Sequence, residues 1–187
     1  MHSSYHFGKT LDLVLKFEIA AFLGCTILIA LYPSIFRYNL QLSFKGFFIA
    51  LAGAIIAYAL VLVLNEHKNF NRDIKLFHRG VIGRPLFFKF FWYPLLVSVP
   101  EELLFRLVLP SIILITTRDY FVSAVFSSLL FGAAHIRKGV TTLIPIFAFA
   151  IGLIFVFVLF ASDNNILTPI LAHLIFTILR VSKFGRD

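Results

Sequence analysis

The segment SVPEELLFRLVLP, residues 98–110, places two adjacent glutamates and an arginine among Leu and Val residues. It lies in one of the most apolar parts of a 187-residue chain in which 60% of residues are hydrophobic and only 14% are charged. Each charge at the centre of a bilayer costs about 2.5–3.5 kcal/mol on insertion scales, so we expect these three to serve a function inside the protein. The alternative is that Pro100 begins a helix whose positive end the two glutamates complement.

The composition is that of a membrane protein rather than of a soluble domain. Six apolar runs are long enough to cross a hydrocarbon layer of about 30 Å. These runs are residues 17–36, 46–64, 86–116, 120–136, 140–161 and 165–180. We therefore predict an all-α polytopic membrane protein of about six transmembrane helices. Residues 1–187 are expected to form a single membrane-embedded domain with its site inside the helical bundle.

The third run is about twice the usual length and contains Pro94, Pro100 and Pro110, so it is either one kinked helix or two spans. With six spans and a cytoplasmic N-terminus, twelve Lys and Arg residues fall inside and three outside. Splitting the third run changes this count to eight inside and seven outside. The positive-inside rule favours one long helix, with both chain termini in the cytoplasm.

The net charge, the single cysteine and the first apolar run narrow the range of protein classes to which the chain could belong. The net charge of +8 comes from basic residues scattered at the ends of apolar runs, which indicates membrane topology rather than nucleic-acid binding. Cys25 is the only cysteine, which excludes an intrachain disulfide and a cysteine-based metal cluster. The first apolar run extends past signal-peptide length without a small-residue cleavage site, so we expect a retained transmembrane helix.

The charges of the opening segment have helical spacing. Arg106 follows Glu102 by four residues, so the two share a helix face and can form an ion pair. Glu101 points about 100° away around the helix and keeps its carboxylate outside that pair. One acid is then held ionised by its partner, while the other is available for proton transfer.

Two histidines lie in other apolar runs. His135 ends the sequence FGAAH and shares a helix face with Phe131, four residues earlier. His173 lies in ILAHLIFTIL, with Thr177 one turn later on its face. A lone membrane histidine is commonly a helix-to-helix hydrogen bond. Two histidines together with the Glu-Glu-Arg cluster favour a functional site.

These residues resemble the CAAX prenyl protease and bacteriocin-processing (CPBP) family of intramembrane proteases. EELLFR fits the family motif EExxxR, FGAAH fits FxxxH, and the region of His173 fits the third motif, all in family order. The resemblance covers the core motifs within residues 86–180. It implies a membrane endopeptidase in which Glu101, His135 and His173 are catalytic, with Glu102, Arg106, Phe131 and Thr177 in support.

The resemblance implies a glutamic-type mechanism without a cofactor. A Glu/His/His set would also suit zinc with an open position, so zinc remains an alternative, although the chain has no HExxH-type ligand pair. The family commonly carries Asn or Asp where this chain has Thr177, whose hydroxyl can donate one hydrogen bond.

Several expectations about partners and location follow. The substrate is expected to be a membrane-associated peptide or protein, the bilayer is the solvent, and no nucleic acid is involved. Small size and short loops are typical of a bacterial inner-membrane protein. The alternative functions are a non-catalytic membrane immunity or scaffold protein and a small proton-coupled transporter, although six spans without an internal repeat is small for a transporter.

Overall fold

A computed structural model describes residues 3–34, 36, 39–41, 43–78, 81–137 and 140–185, and its regular secondary structure there is helical. An isolated parallel bridge joins Asn39 to Asn165. The all-α prediction is confirmed. The α-helices are α1 (Ser3–Leu31), α2 (Phe44–Leu64), α3 (Lys68–His78), α4 (Tyr93–Glu102), α5 (Leu109–Thr117), α6 (Tyr120–Ala134), α7 (Leu143–Ala161) and α8 (Leu167–Phe184).

The third apolar run is helical without a break over residues 86–117. It contains α4 and α5 and two π-helical segments, Phe88–Trp92 and Leu103–Val108. Each π segment ends two residues before a proline, at Pro94 and Pro110. A proline has no N–H and its ring collides with the carbonyl four residues earlier, and the wider π turn relieves both problems. The glutamates thus lie inside one long helix, as the charge count predicted.

The number of membrane spans is only partly resolved. Among the described residues, α2, α7 and α8 are long and apolar enough to cross a bilayer, and α6 is apolar but has 15 residues. Six spans therefore remains a prediction. Some charges used in the topology count, and both chain termini, lie outside the described residues; these charges are Arg37, Arg79, Lys138 and Arg186.

The segment between the second and third apolar runs, expected to be a basic loop, contains helix α3. Phe70 and Ile74, four residues apart, are 0% and 2% exposed and pack into the main apolar cluster. Asp73 is buried on the same helix and accepts hydrogen bonds from the backbone N–H of Thr141 at 2.8 Å and from Arg72 at 3.0 Å. Burial alone would raise the pKa of Asp73, but these hydrogen bonds outweigh it and lower that pKa.

Small residues on α2 bring three helices together. Ala50, Gly53, Ala54 and Ala57 are all buried along one side of α2. A Cβ atom at Gly53 would collide with Val158 of α7 and lie 3.9 Å from Ala172 of α8. The small-residue face therefore allows close packing of α2 against both helices. That packing fixes the position of α8, which carries His173 directly after Ala172.

Candidate active site

A cavity with a volume of about 650 Å³ lies between α1, α3, α4, α6, α7 and α8. Its walls are mostly aromatic and aliphatic. The polar and charged side chains that line it are Glu18, Tyr93, Glu101, His135, Arg137, His173 and Arg180. The three residues predicted to be catalytic therefore face one space, although they come from three different helices or their ends.

His173 lies between two carboxylates of α4. Its Nδ1 is 2.9 Å from Oε1 of Glu102, which is fully buried, and its Nε2 is 3.6 Å from Oε2 of Glu101. Because an ionised carboxylate can only accept, Nδ1 must carry the hydrogen in the bond to Glu102. Glu102 thereby fixes the orientation of the imidazole, and Nε2 is directed toward Glu101.

Arg106 supports this arrangement from behind the cavity. Its Nε lies 3.3 Å from Oε2 of Glu102, and both side chains are fully buried, so the ion pair expected from their spacing is present. Nη1 donates to the carbonyl of Phe105 at 3.1 Å, and the guanidinium lies 5.0 Å above the ring of Phe131. Sequence analysis assigned Glu102 only to the ion pair, whereas it also holds His173.

His135 is fixed by the last turn of α6. Its Nδ1 is 2.8 Å from the carbonyl oxygen of Phe131 and must therefore carry a hydrogen, so Nε2 of the neutral ring is an acceptor. The ring of Phe131 lies 4.8 Å from that of His135 and 6.3 Å from that of His173. Phe131 thus packs against both histidines and against Arg106, which explains its place among the supporting residues.

The end of α6 places His135 at the cavity. Because α6 has 15 residues and ends at Ala134, His135 follows directly and lines the same cavity as Glu101. Ile74 of α3 and Arg137 also line the cavity, so it extends toward the end of the bundle where α3 lies.

Thr177 does not line this cavity. Its side chain is 0% exposed, and its hydroxyl has no hydrogen-bond partner among the residues that the structure describes. It lies one turn after His173 on α8, as its spacing predicted. The structure therefore brings Glu101, His135 and His173 together but leaves Thr177 behind the cavity wall.

Sequence analysis missed three charged residues that line the cavity. Glu18 was treated as part of an apolar run, and Arg137 and Arg180 were counted only as topology signals. The cost of a membrane-embedded charge, which singled out Glu101, applies equally to Glu18. Arg180 follows His173 by seven residues, which places both on one face of α8.

One ring nitrogen of each cavity histidine already has a protein partner. Within the described part of the chain, no three His, Cys, Asp or Glu side chains converge with metal-binding geometry. Glu102 occupies Nδ1 of His173, and the carbonyl of Phe131 occupies Nδ1 of His135.

The family model described as Type II CAAX prenyl endopeptidase Rce1-like matches residues 83–179, just over half of the chain. The chain belongs to this family. Neither curated proteins nor solved structures gave a significant match. The match confirms the resemblance to CAAX proteases that the three motifs predicted.

Membership in the Rce1-like family establishes the chain as a CAAX-type protease of the membrane, and therefore as a hydrolase. Glu101, His135 and His173 all lie within the matched residues. Glu18 and Arg180 lie outside them, although both line the same cavity. The apolar helices agree with an integral membrane protein.

Proposed function

We propose that this protein hydrolyses a peptide bond of a membrane-associated peptide or protein by means of a water molecule activated by Glu101. The observation that carries the proposal is the placement of His173. Its ring lies 2.9 Å from the carboxylate of Glu102 and 3.6 Å from that of Glu101, at the wall of a cavity of about 650 Å³. An oriented imidazole beside a second carboxylate is suited to acid–base chemistry.

The reaction begins with water between Glu101 and the substrate carbonyl. Glu101 accepts a proton from the water while the water oxygen forms a bond to the carbonyl carbon. The carbonyl electrons move to its oxygen and give a tetrahedral oxyanion. When that intermediate collapses, the C–N bond breaks, and the proton held by Glu101 passes to the leaving nitrogen. The products are a carboxylic acid and an amine.

The two histidines have different roles in this mechanism. Nε2 of His135 accepts a hydrogen bond from the water and so orients it, because Nδ1 is held by the carbonyl of Phe131. His173, when protonated, donates Nε2–H to the developing oxyanion while Glu102 stabilises the imidazolium through Nδ1. Thr177 has no part in this scheme, since it lies outside the cavity.

The cavity walls favour a substrate that is largely apolar. Phe105, Phe147 and Phe176 line it, and two guanidinium groups, of Arg137 and Arg180, supply positive charge. A hydrophobic peptide segment held at a membrane fits such walls, whereas a folded soluble protein or a nucleic acid does not. The bilayer and its embedded substrate are the partners that we propose.

We further propose a bacterial inner-membrane location with α3 and both termini in the cytoplasm, supported by the distribution of Lys and Arg. Lys68 is exposed on α3, and the native Cys25 is 2% exposed. A Lys68→Cys variant should react with a membrane-impermeant thiol reagent only after cells are opened, while the unsubstituted protein stays unlabelled. Labelling of Lys68→Cys in intact cells would contradict this topology.

The proposed reaction requires no metal. Purified protein in liposomes should cleave a hydrophobic membrane peptide to two products of defined mass, and incubation with a strong chelator should leave the rate unchanged. Elemental analysis should find well under one zinc per chain. Stoichiometric zinc whose removal abolishes cleavage would make Glu101, His135 and His173 metal ligands. No cleavage of any membrane peptide would favour an immunity or transport role instead.

A further inference from the structure

We infer that Glu18 of α1 is a positioning residue that shares a proton with Glu101 and so holds Glu101 in the state that accepts a proton from water. The inference rests on the proposed function of Glu101. Glu18 is 4% exposed and lines the same cavity as Glu101, yet it lies far outside the residues that match the family.

The contact between the two carboxyl groups requires a proton. The side chains of Glu18 and Glu101 lie within hydrogen-bonding contact of each other. Carboxylate oxygens can only accept, so a hydrogen bond between them forms only when one of the two groups is protonated. Two carboxyl groups in such contact can hold one proton jointly.

A buried oxygen of Glu18 points to the same need for a proton. Oε2 is buried and has no hydrogen-bond donor among the described residues. A buried polar atom that only supports a fold is normally satisfied by a protein group or by water. A hydrogen bond between the two carboxyl groups, with one of them protonated, is a means of satisfying such an oxygen.

Other charged groups bear on this pair. Arg137, after α6, and Tyr93, on α4, both interact electrostatically with Glu18. Further titratable or charged side chains that line the same cavity are His135, His173 and Arg180. The positive charges favour a pair in which one carboxylate is ionised. This singly protonated pair suits catalysis, because the ionised group can accept a proton from water while the protonated group donates a hydrogen bond to it.

The proton balance is simple. The ionised member of the pair takes the proton released by water, and the pair then holds two. One of these passes to the leaving nitrogen when the C–N bond breaks, which restores the single shared proton. Glu18 therefore changes how readily Glu101 accepts and releases a proton, without forming a bond to the substrate.

The kinetic test compares the intact protein with Glu18→Gln and Glu18→Asp, and with Glu66→Gln as an exposed control. The intact protein should give a bell-shaped dependence of kcat/KM on pH, since activity falls when the pair gains a second proton or loses its only one. Glu18→Gln should lower kcat about tenfold or more with little change in KM. It should also shift the alkaline limb of the profile, because an amide holds no exchangeable acid proton to share with Glu101.

Glu18→Asp should keep both limbs, and Glu66→Gln should match the intact protein. A purely structural role would lower the yield of folded protein without shifting either limb. If Glu18→Gln keeps both limbs at the same pH values, the inference about Glu18 is wrong while the protease proposal stands. If the intact protein cleaves nothing, the proposed function itself fails.

A second measurement is independent of turnover. Infrared spectra of the purified protein at neutral pH should contain a protonated-carboxyl band that disappears in both Glu18→Gln and Glu101→Gln and persists in Glu66→Gln. Persistence of the band in both cavity variants would show that the two carboxyl groups do not share a proton.

Discussion

Replacement of Arg106 by Ala should destabilise the protein by about 3–5 kcal/mol and sharply reduce the yield of folded material. Arg106 is 2% exposed, and its ion pair with Glu102 lies among fully buried side chains. Truncation leaves Glu102 with His173 alone and removes the cation above the ring of Phe131. The cost is large because a buried carboxylate loses its compensating charge.

The melting temperature in a single detergent would measure this effect. Arg84→Ala is a suitable control, since Arg84 is an exposed arginine that also lies over an aromatic ring, that of Phe88 at 5.8 Å. It should cost about 1 kcal/mol or less. A double variant, Glu102→Gln with Arg106→Met, removes both charges and should recover part of the stability. Equal stability of Arg106→Ala and Arg84→Ala would show that the ion pair is not structural.

Much of the site could be predicted because charges are expensive in a membrane. The spacing of Glu102 and Arg106 predicted their ion pair, and the count of basic residues predicted that the long helix continues through the glutamates. Both inferences depend on short-range geometry or on composition. The shared cavity of Glu101, His135 and His173 followed from the family motifs, since periodicity alone does not show which helices meet.

Other features depended on packing that the sequence does not encode locally. Adjacent residues on a helix point about 100° apart, so nothing in the spacing showed that one imidazole, that of His173, would contact both Glu101 and Glu102. The two π-helical segments of the long helix were not predicted. The position of each π segment depends on how the turn before a proline adjusts to the missing N–H and to the bulk of the proline ring.

Two omissions were avoidable. The segment of α3 carries Phe70 and Ile74 at helical spacing, but its many charges led to its interpretation as a loop. Glu18 interrupts an apolar run just as Glu101 does. It was passed over because it belongs to no family motif, although the physical reason to examine it was the same.

Replacement of Glu101 by Gln should have the largest effect on activity. Gln keeps the size and hydrogen-bonding capacity of Glu101 but cannot accept the proton of the attacking water. General acid–base catalysis commonly contributes about 10²–10⁴-fold, so turnover should fall by at least about two orders of magnitude. Folding should be preserved, because Glu101 lies at the cavity wall with its side chain 11% exposed rather than in the buried ion pair.

Replacement of His135 or His173 by Ala should lower turnover by a similar factor. Adding either change to Glu101→Gln should cost little more, because groups that act on one transition state fail together. Fully additive losses would indicate that the histidines act in a separate step, such as substrate binding.

The single-turnover rate of Glu101→Gln on a verified membrane-peptide substrate tests the central claim most directly. It should be measured beside the intact protein and Glu66→Gln, in the presence of a chelator and with substrate binding determined in the same liposomes. Our account predicts that Glu101→Gln binds the peptide normally and cleaves it at least about 100-fold more slowly, while Glu66→Gln is unaffected. Cleavage by well-folded Glu101→Gln at the rate of the intact protein would contradict a mechanism in which Glu101 activates water.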